Sequence, residues 1–398
     1  MIRTSTAWQY QQGISQMLRS QQDLTKTQNQ LSSNVRWQTA ADDPAGWAQA
    51  QSYDQLVAAN ARYTSAAQSA QQRLQLGEDT IASGVSLLQR VRELTIEANT
   101  STQSEDTRAS IAKELYAVRD QLMALANTTD GQGRYLFGGA DDGSTPFTWN
   151  GSSADYHGDQ TVVSAQIGSS RTVAQNDPGS VVFLGLKTGN GTFAVTASSA
   201  NTGGASITSA TLSDSSQWDG GSYTLRFTAS DQYEIVDASN TVVQSGSAGD
   251  GDTITFRGAS LTLSGSAAAG DRYTVAPSSS QDMFAMIDQI ADLLMQPQDS
   301  DSQRAQVQTA LQQAMGTLQG AEDRLSDVRS GIGLRLNAID DALDVSSAQN
   351  EHAQAAASDL RDTDYADAIS KLQLQMTTLQ AAQQVYSKVQ GLSLFNYL

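Results

Sequence analysis

The chain has 398 residues, 42 acidic against 24 basic for a formal charge of -18, and it contains no cysteine. That charge repels a phosphate backbone and no basic stripe overrides it, which argues against nucleic-acid binding; the missing thiols exclude disulfides, thiolate metal sites and cysteine nucleophiles. No apolar run is long enough for a signal peptide's hydrophobic region or for a membrane span, so export would need another route and membrane insertion is not expected.

In residues 1–41, Ile14, Met17, Leu24, Leu31 and Val35 fit a heptad seam whose remaining core places fall to Gln21 and Gln28. The stretch ADDPAGWA then reads as a break and restart: Asp42 or Asp43 caps, and Pro44 enters the first turn of a new helix. From Trp47 to Asn99, Leu74, Ile81 and Leu88 recur in sevens, flanked by Leu87, Val91 and Leu94. Such a helix approaches ~75 Å, which predicts a rod rather than a globule. Ile111, Leu115, Val118, Leu122 and Leu125 carry the same periodicity into a further helix.

The middle differs. Twenty of the 31 glycines lie between residues 138 and 277. Alternating runs such as YTLRFTA, YEIVDA, TITFRG and LTLSG, separated by Gly, Asp, Asn and Ser turns, predict short antiparallel strands. Beyond them a short helix around Met283, Ile287, Ile290 and Leu294 precedes Pro297. Leu318, Leu325, Ile332 and Ile339 then answer the earlier rod in sevens. SDLRDTDYADAISKLQLQM holds a second break, with Asp362 or Thr363 as cap of a helix beginning near Tyr365, and Asp364 and Asp367 in its acidic start. The last segment places Ile369, Leu372, Met376, Leu379 and Tyr386 on another glutamine-diluted seam, and ends with Leu392, Leu394, Phe395 and Leu398.

The expected fold is therefore a mainly α helical bundle or coiled coil of paired N- and C-terminal segments with an inserted β-rich domain. Terminal arms comprise 1–41 with 363–398, a helical rod comprises 42–139 with 278–362, and a β-rich outer domain comprises 140–277. The arm seams have few large anchors for the backbone they must order, so the arms are expected to be marginal alone and to order against neighbouring copies.

Chemistry is sparse. GQGRYLFGG lacks the Gly-Lys-Ser/Thr ending of a phosphate loop, and GDGDTITF lacks the remaining ligands of a calcium loop. His157 and His352 stand far apart in sequence, without a metal motif. No catalytic, cofactor-binding or metal-ligating constellation emerges, and the expectation is a non-enzyme. The acidic cluster 359–367 reads as a junction between helices, and with the ADDPAGWA break it gives the candidate arm–rod hinge residues Asp42, Asp43, Pro44, Asp362, Asp364 and Tyr365.

The paired arms, the DDPAG break and RDTDYADA resemble the flagellin superfamily. MIRTSTAWQYQQGI, TTDGQGRYLFGG, YHGD (Tyr156–Asp159) and QGLSLFNYL resemble, within it, the family of hook-associated protein 3, the hook–filament junction proteins. The resemblance covers about the first 160 and last 120 residues. It implies type III export without a cleaved signal, and a cytoplasmic export chaperone at the C-terminal segment. It also implies self-assembly into a ring between hook-associated protein 1 and flagellin, in an extracellular location on the flagellum. The implied assembly interface is Ile14, Met17, Leu24, Leu31, Val35, Ile369, Leu372, Met376, Leu379, Tyr386, Leu392 and Phe395. Alternatives sharing these features are filament flagellin, a surface adhesin acting through the insert, and an extracellular hydrolase, for which no site is visible.

Overall fold

The computed structural model describes residues 6–100 and 104–391. Long helices frame a β-rich insert, as the change of periodicity from seven to two predicts. Helix α1 (Thr6–Ser33) is followed by α2 (Pro44–Ala98) and α3 (Glu105–Ala126). Ser104 caps α3, its Oγ accepting from Thr107 N–H at 3.2 Å, with Glu105 and Asp106 in the first turn where the helix dipole favours anions.

The insert opens with two hairpins, β1 (Phe147–Trp149) with β2 (Ala154–Tyr156) and β3 (Ser164–Gln166) with β4 (Thr172–Ala174), then the short α4 (Gly179–Phe183) and β5 (Leu186–Lys187). Next come β6 (Phe193–Ala197), β7 (Ser206–Leu212), β8 (Tyr223–Ala229), β9 (Gln232–Asp237), β10 (Val242–Ser247), β11 (Thr253–Phe256), β12 (Ala259–Ser264), β13 (Arg272–Pro277) and β14 (Ser280–Gln281). The chain returns through α5 (Met283–Met295), α6 (Asp301–Arg361) and α7 (Tyr365–Gly391).

The described chain divides into two compact units, Met1–Ser65 with Leu343–Leu398 and Ala66–Ala342, and the division falls inside α2 and α6. In the larger unit Leu74, Ile81 and Leu88 of α2 and Leu318, Leu325, Ile332 and Ile339 of α6 are all buried. Arg92 pairs with Glu322 and Arg329 with Glu78 along the flanks of this seam. α5 buries a wide apolar face and packs on α3, leaving Gln289, Asp292 and Met295 exposed, with Asp282 as its cap, accepting from Ala285 N–H at 2.7 Å.

Two antiparallel sheets, β10-β9-β8-β13-β6 and β11-β12-β7, share one core that includes Phe193, Leu225, Phe227, Ile254, Leu261 and Tyr273. Their inner residues alternate with polar outer ones, which is why the strands read with period two. Helix α6 holds the edges of this sandwich with side chains one turn apart. Thr309 Oγ1 accepts from Ile207 N–H (3.0 Å), Gln313 Oε1 from Val195 N–H (2.9 Å), and Thr317 Oγ1 from Gly189 N–H (2.9 Å). At Gly316 a Cβ would come 2.5 Å from Gly189 O, so this approach requires glycine.

The smaller unit has a different seam. Gly46, Ala50, Asn60, Ser346, Ala353 and Ala357 are its buried positions on α2 and α6, where the larger unit uses leucine and isoleucine. Asn60 Nδ2 donates to Asn350 Oδ1 at 3.1 Å, and the Thr64 and Ser346 hydroxyls lie 3.3 Å apart.

Candidate assembly surface and the joint at its base

In the smaller unit α1 and α7 pair antiparallel, Tyr10 meeting Tyr386 edge-on with ring centroids 6.2 Å apart. Each helix presents a stripe of spacing three and four to the other. On α1 it is Tyr10, Gly13, Met17, Ser20, Leu24, Thr27 and Leu31; on α7 it is Ala368, Leu372, Gln375, Leu379, Ala382 and Tyr386. Met17, Leu24, Leu31, Leu372, Leu379 and Tyr386 from the expected seam thus stand half-buried on the paired faces.

Ile14, Ile369 and Met376 do not. They are 43%, 46% and 45% exposed, on faces turned away from the partner helix, together with Leu18, Leu374 and Val385. Small residues take their places in the pair because two helices approach most closely over Gly, Ala and Ser; the larger side chains are left in solvent. Leu392 and Phe395 lie outside the described residues.

Val35 is not on the arm helix. Asn34 ends α1 in a left-handed conformation (φ 55°), which asparagine tolerates, and Val35 then forms an antiparallel bridge with Asp362. Arg36 N–H donates to Arg361 O at 2.6 Å and Thr363 N–H to Asn34 O at 3.3 Å, so the two breaks in the chain are bonded to each other. Gln30 Nε2 donates to Arg36 O at 2.5 Å, Thr363 Oγ1 to Gln30 O at 3.3 Å, and Arg361 pairs with Asp54.

The hinge residues divide by role. Asp43 caps α2, its Oδ1 accepting from Gly46 N–H at 3.0 Å, with Pro44 opening the helix. Asp42 instead clamps the loop: its carboxylate accepts from Lys26 Nζ at 2.6 Å and from the N–H groups of Gln38 and Thr39 at 3.1 Å. The Lys26 ammonium first, then these N–H groups, hold its pKa well below the usual carboxylate range.

Asp364, rather than Asp362 or Thr363, caps α7, accepting from Ala366 N–H (2.9 Å) and Asp367 N–H (3.2 Å). The bridge occupies the other two residues, and Asp362 accepts from Ser358 Oγ. Tyr365 is half exposed at the start of α7. Sequence reasoning missed Trp37, which is buried here; a Cβ on Gly46 would come 3.2 Å from its ring. Its signal was a large aromatic inside an otherwise polar break.

The motifs after α3 interlock in the larger unit. Asp130 bonds the Gln132 and Arg134 N–H groups and pairs with the largely buried Arg73, which donates also to Tyr135 O at 2.8 Å. Asp159 of YHGD accepts from Ala140 N–H at 2.7 Å, and Gly139 (φ 77°) leaves no room for a Cβ, which would fall 2.0 Å from that carboxylate. Tyr156 Oη lies 2.9 Å from Phe137 O. YLFGG and YHGD are thus two halves of one turn assembly.

Asp250 and Asp252 bond backbone N–H groups of Gly265 and Gly249, as a turn requires. Among the described residues no group of three acidic or histidine side chains is placed to hold a metal ion, and no helix is long and apolar enough to cross a membrane.

Three family models match the chain: the bacterial flagellin N-terminal helical region over residues 5–142, the bacterial flagellin C-terminal helical region over 315–398, and the D2-like domain of flagellar hook-associated protein 1 over 196–277. Flagellar hook-associated protein 3 of Salmonella typhimurium is 36% identical over 46% of this chain, an alignment that spans 57% of that relative. Flagellar hook-associated protein 3 of Escherichia coli K12 is 27% identical over 99% of both chains. The crystal structure of Xanthomonas campestris FlgL superposes with a TM-score of 0.73 at 34% identity, covering 77% of this chain and 99% of that one. The chain belongs to the flagellar hook-associated protein 3 (FlgL) family.

Proposed function

We propose that this chain is a structural adaptor of the bacterial flagellum, joining hook-associated protein 1 to the flagellin filament by self-assembly of its terminal helices into a ring. It acts outside the cell, without catalysis, and reaches that place by type III export without a cleaved signal, escorted by a cytoplasmic chaperone on the C-terminal segment. Residues 1–41 with 363–398 polymerise, 42–139 with 278–362 carry load between them, and 140–277 supply a variable surface.

The observation that carries this is the apolar stripe of Ile14, Leu18, Ile369 and Met376, exposed on a helix pair whose inner faces are already matched. An apolar helix face left in water on an acidic, otherwise polar chain marks a surface that a neighbour covers with a gain in free energy. Burying these outer faces against neighbouring copies makes incorporation favourable while the inner faces hold the pair together. Neither the adhesin nor the hydrolase alternative has a supporting feature, and the flagellin alternative does not account for a relationship to hook-associated protein 3 along the whole chain.

The test is deletion of Ser387–Leu398 in a motile host whose own copy is replaced. Cells are expected to build hooks and release flagellin monomers into the medium. Normal swimming on full-length filaments would refute the proposal. A tagged copy is expected to image as a single band at the base of each filament; a signal along the whole filament would assign the chain to filament flagellin.

A further inference from the structure

The two breaks that separate arm from rod in sequence are more than 300 positions apart, and each alone reads as an independent hinge. Their geometry is that of one object. Val35 and Asp362 are bridged residues, and the two backbone bonds run from the residues on either side, Arg36 N–H to Arg361 O and Thr363 N–H to Asn34 O. That pattern marks the close, non-hydrogen-bonded pair of an antiparallel ladder, in which the side chains stand nearest each other.

Side chains tie the same strands twice more. Gln30 Nε2 reaches Arg36 O, and Thr363 Oγ1 reaches Gln30 O, so the last turn of α1 is bonded to its own exit strand and to the entry of α7. In the loop that follows, Trp37 is buried beside Gly46 of α2, and Asp42 closes the loop onto Lys26 of α1. By contrast the α2–α6 seam of the same unit is lined with alanine and small polar side chains, which give packing less apolar area to hold.

We propose that the breaks form a single latched joint, a two-strand clasp of residues 34–36 and 361–363, which keeps α1 and α7 in register and delivers them to the assembly as one body. The joint is the stiff part of this unit, and bending is taken up in the small-residue helix pair of residues 50–64 and 346–357. The clasp itself stays closed while the subunit is incorporated; this last point rests on the junction function proposed above.

Two experiments on the full-length chain decide it. Thr363→Pro removes the N–H that bonds Asn34 O, and the preceding Asp362 is already extended in the bridge, as proline demands. Hydrogen exchange is expected to accelerate at least tenfold at Arg36, on the opposite strand, and through the last turn of α1. Acceleration confined to residues 361–368 would show two independent hinges and overturn the proposal.

Because the chain has no cysteine, Val35→Cys with Asp362→Cys gives a single defined cross-link. Failure of this pair to oxidise would overturn the bridge. The oxidised protein, added to hooks of cells lacking the native copy, is expected to occupy hook ends within twofold of its reduced form. A tenfold deficit reversed by reduction would show that the clasp must open. If the wild-type chain does not occupy hook ends at all, the junction function fails, while the exchange result still decides the joint.

Discussion

Replacing Ile14, Leu18, Ile369 and Met376 together by glutamine separates the faces of the arm pair that serve the subunit from those that serve its neighbours. All four are between 43% and 55% exposed, so roughly half of each side chain remains to be covered. Complete burial of such a side chain contributes about 1.5–3 kcal/mol, so the uncovered half is worth about 0.7–1.5 kcal/mol each and the set about 3–6 kcal/mol. That corresponds to a loss of about a hundredfold to ten-thousandfold in the association constant per subunit. Glutamine keeps the helix propensity of the positions and adds no charge, so the helix pair itself should persist.

The assay is paired. Far-UV circular dichroism of dilute monomer should change little, while concentration-dependent sedimentation and occupancy of hook ends should fall by at least a hundredfold. A variant that assembles within tenfold of wild type would show that these side chains face solvent in the assembled state. A variant that loses its helical signal would show that they belong to the monomer's own core. Either result removes the physical basis for assigning the stripe to assembly.

Asp271 is buried in the insert, and its carboxylate accepts from the N–H groups of Thr202 (2.8 Å), Gly203 (3.1 Å) and Ala268 (2.8 Å). Asp271→Ala leaves these donors without an acceptor and should cost about 3–5 kcal/mol in chemical unfolding, with Asp271→Asn recovering part of it through its one remaining oxygen. The Asp42 clamp should be acid-labile. Its carboxyl pKa is depressed in the folded chain, so its contribution is complete above the ordinary carboxylate value of about 4 and is lost as pH falls through the lower folded value. Amides of Gln38 and Thr39 are expected to lose protection in that acid window in the wild type, whereas Asp42→Asn should show little change with pH.

Much of the helical framework was legible because leucine and isoleucine recur in sevens where both sides of a helix pair are apolar. Leu74, Ile81, Leu88, Leu325 and Ile332 are buried as their spacing implies. The arms were harder. With a glutamine-diluted heptad, Ile14 and Met17 are equally good seam residues by spacing. The structure divides them between the inner and outer faces because a helix pair closes over Gly13, Ser20 and Ala368 instead. Periodicity reports that a face is apolar and leaves open whether it is covered within the subunit or between subunits.

The individual strands were legible from alternation, but their order was not. β6 pairs with β13 across a separation that only tertiary packing selects. The joint was half legible: caps were expected at both breaks, and Asp43 and Asp364 supply them. A backbone bridge leaves no mark in side-chain identity, so nothing in residues 34–36 announced a partner more than 300 positions away.

The rungs Thr309, Gln313 and Thr317 on α6 make that helix a ruler for the insert. Each meets the backbone of a different segment, in β7, in β6 and in the turn before β6, at a rise of one turn. Adding or removing a single residue between them would rotate every later rung by about 100° away from its partner. A change of length in a hairpin turn such as Asp237–Thr241 would leave these rungs in place, whereas a change of length in α6 beside the sandwich would not. The spacing of side chains along one helix thus fixes the position of the insert's edges as firmly as its buried core does.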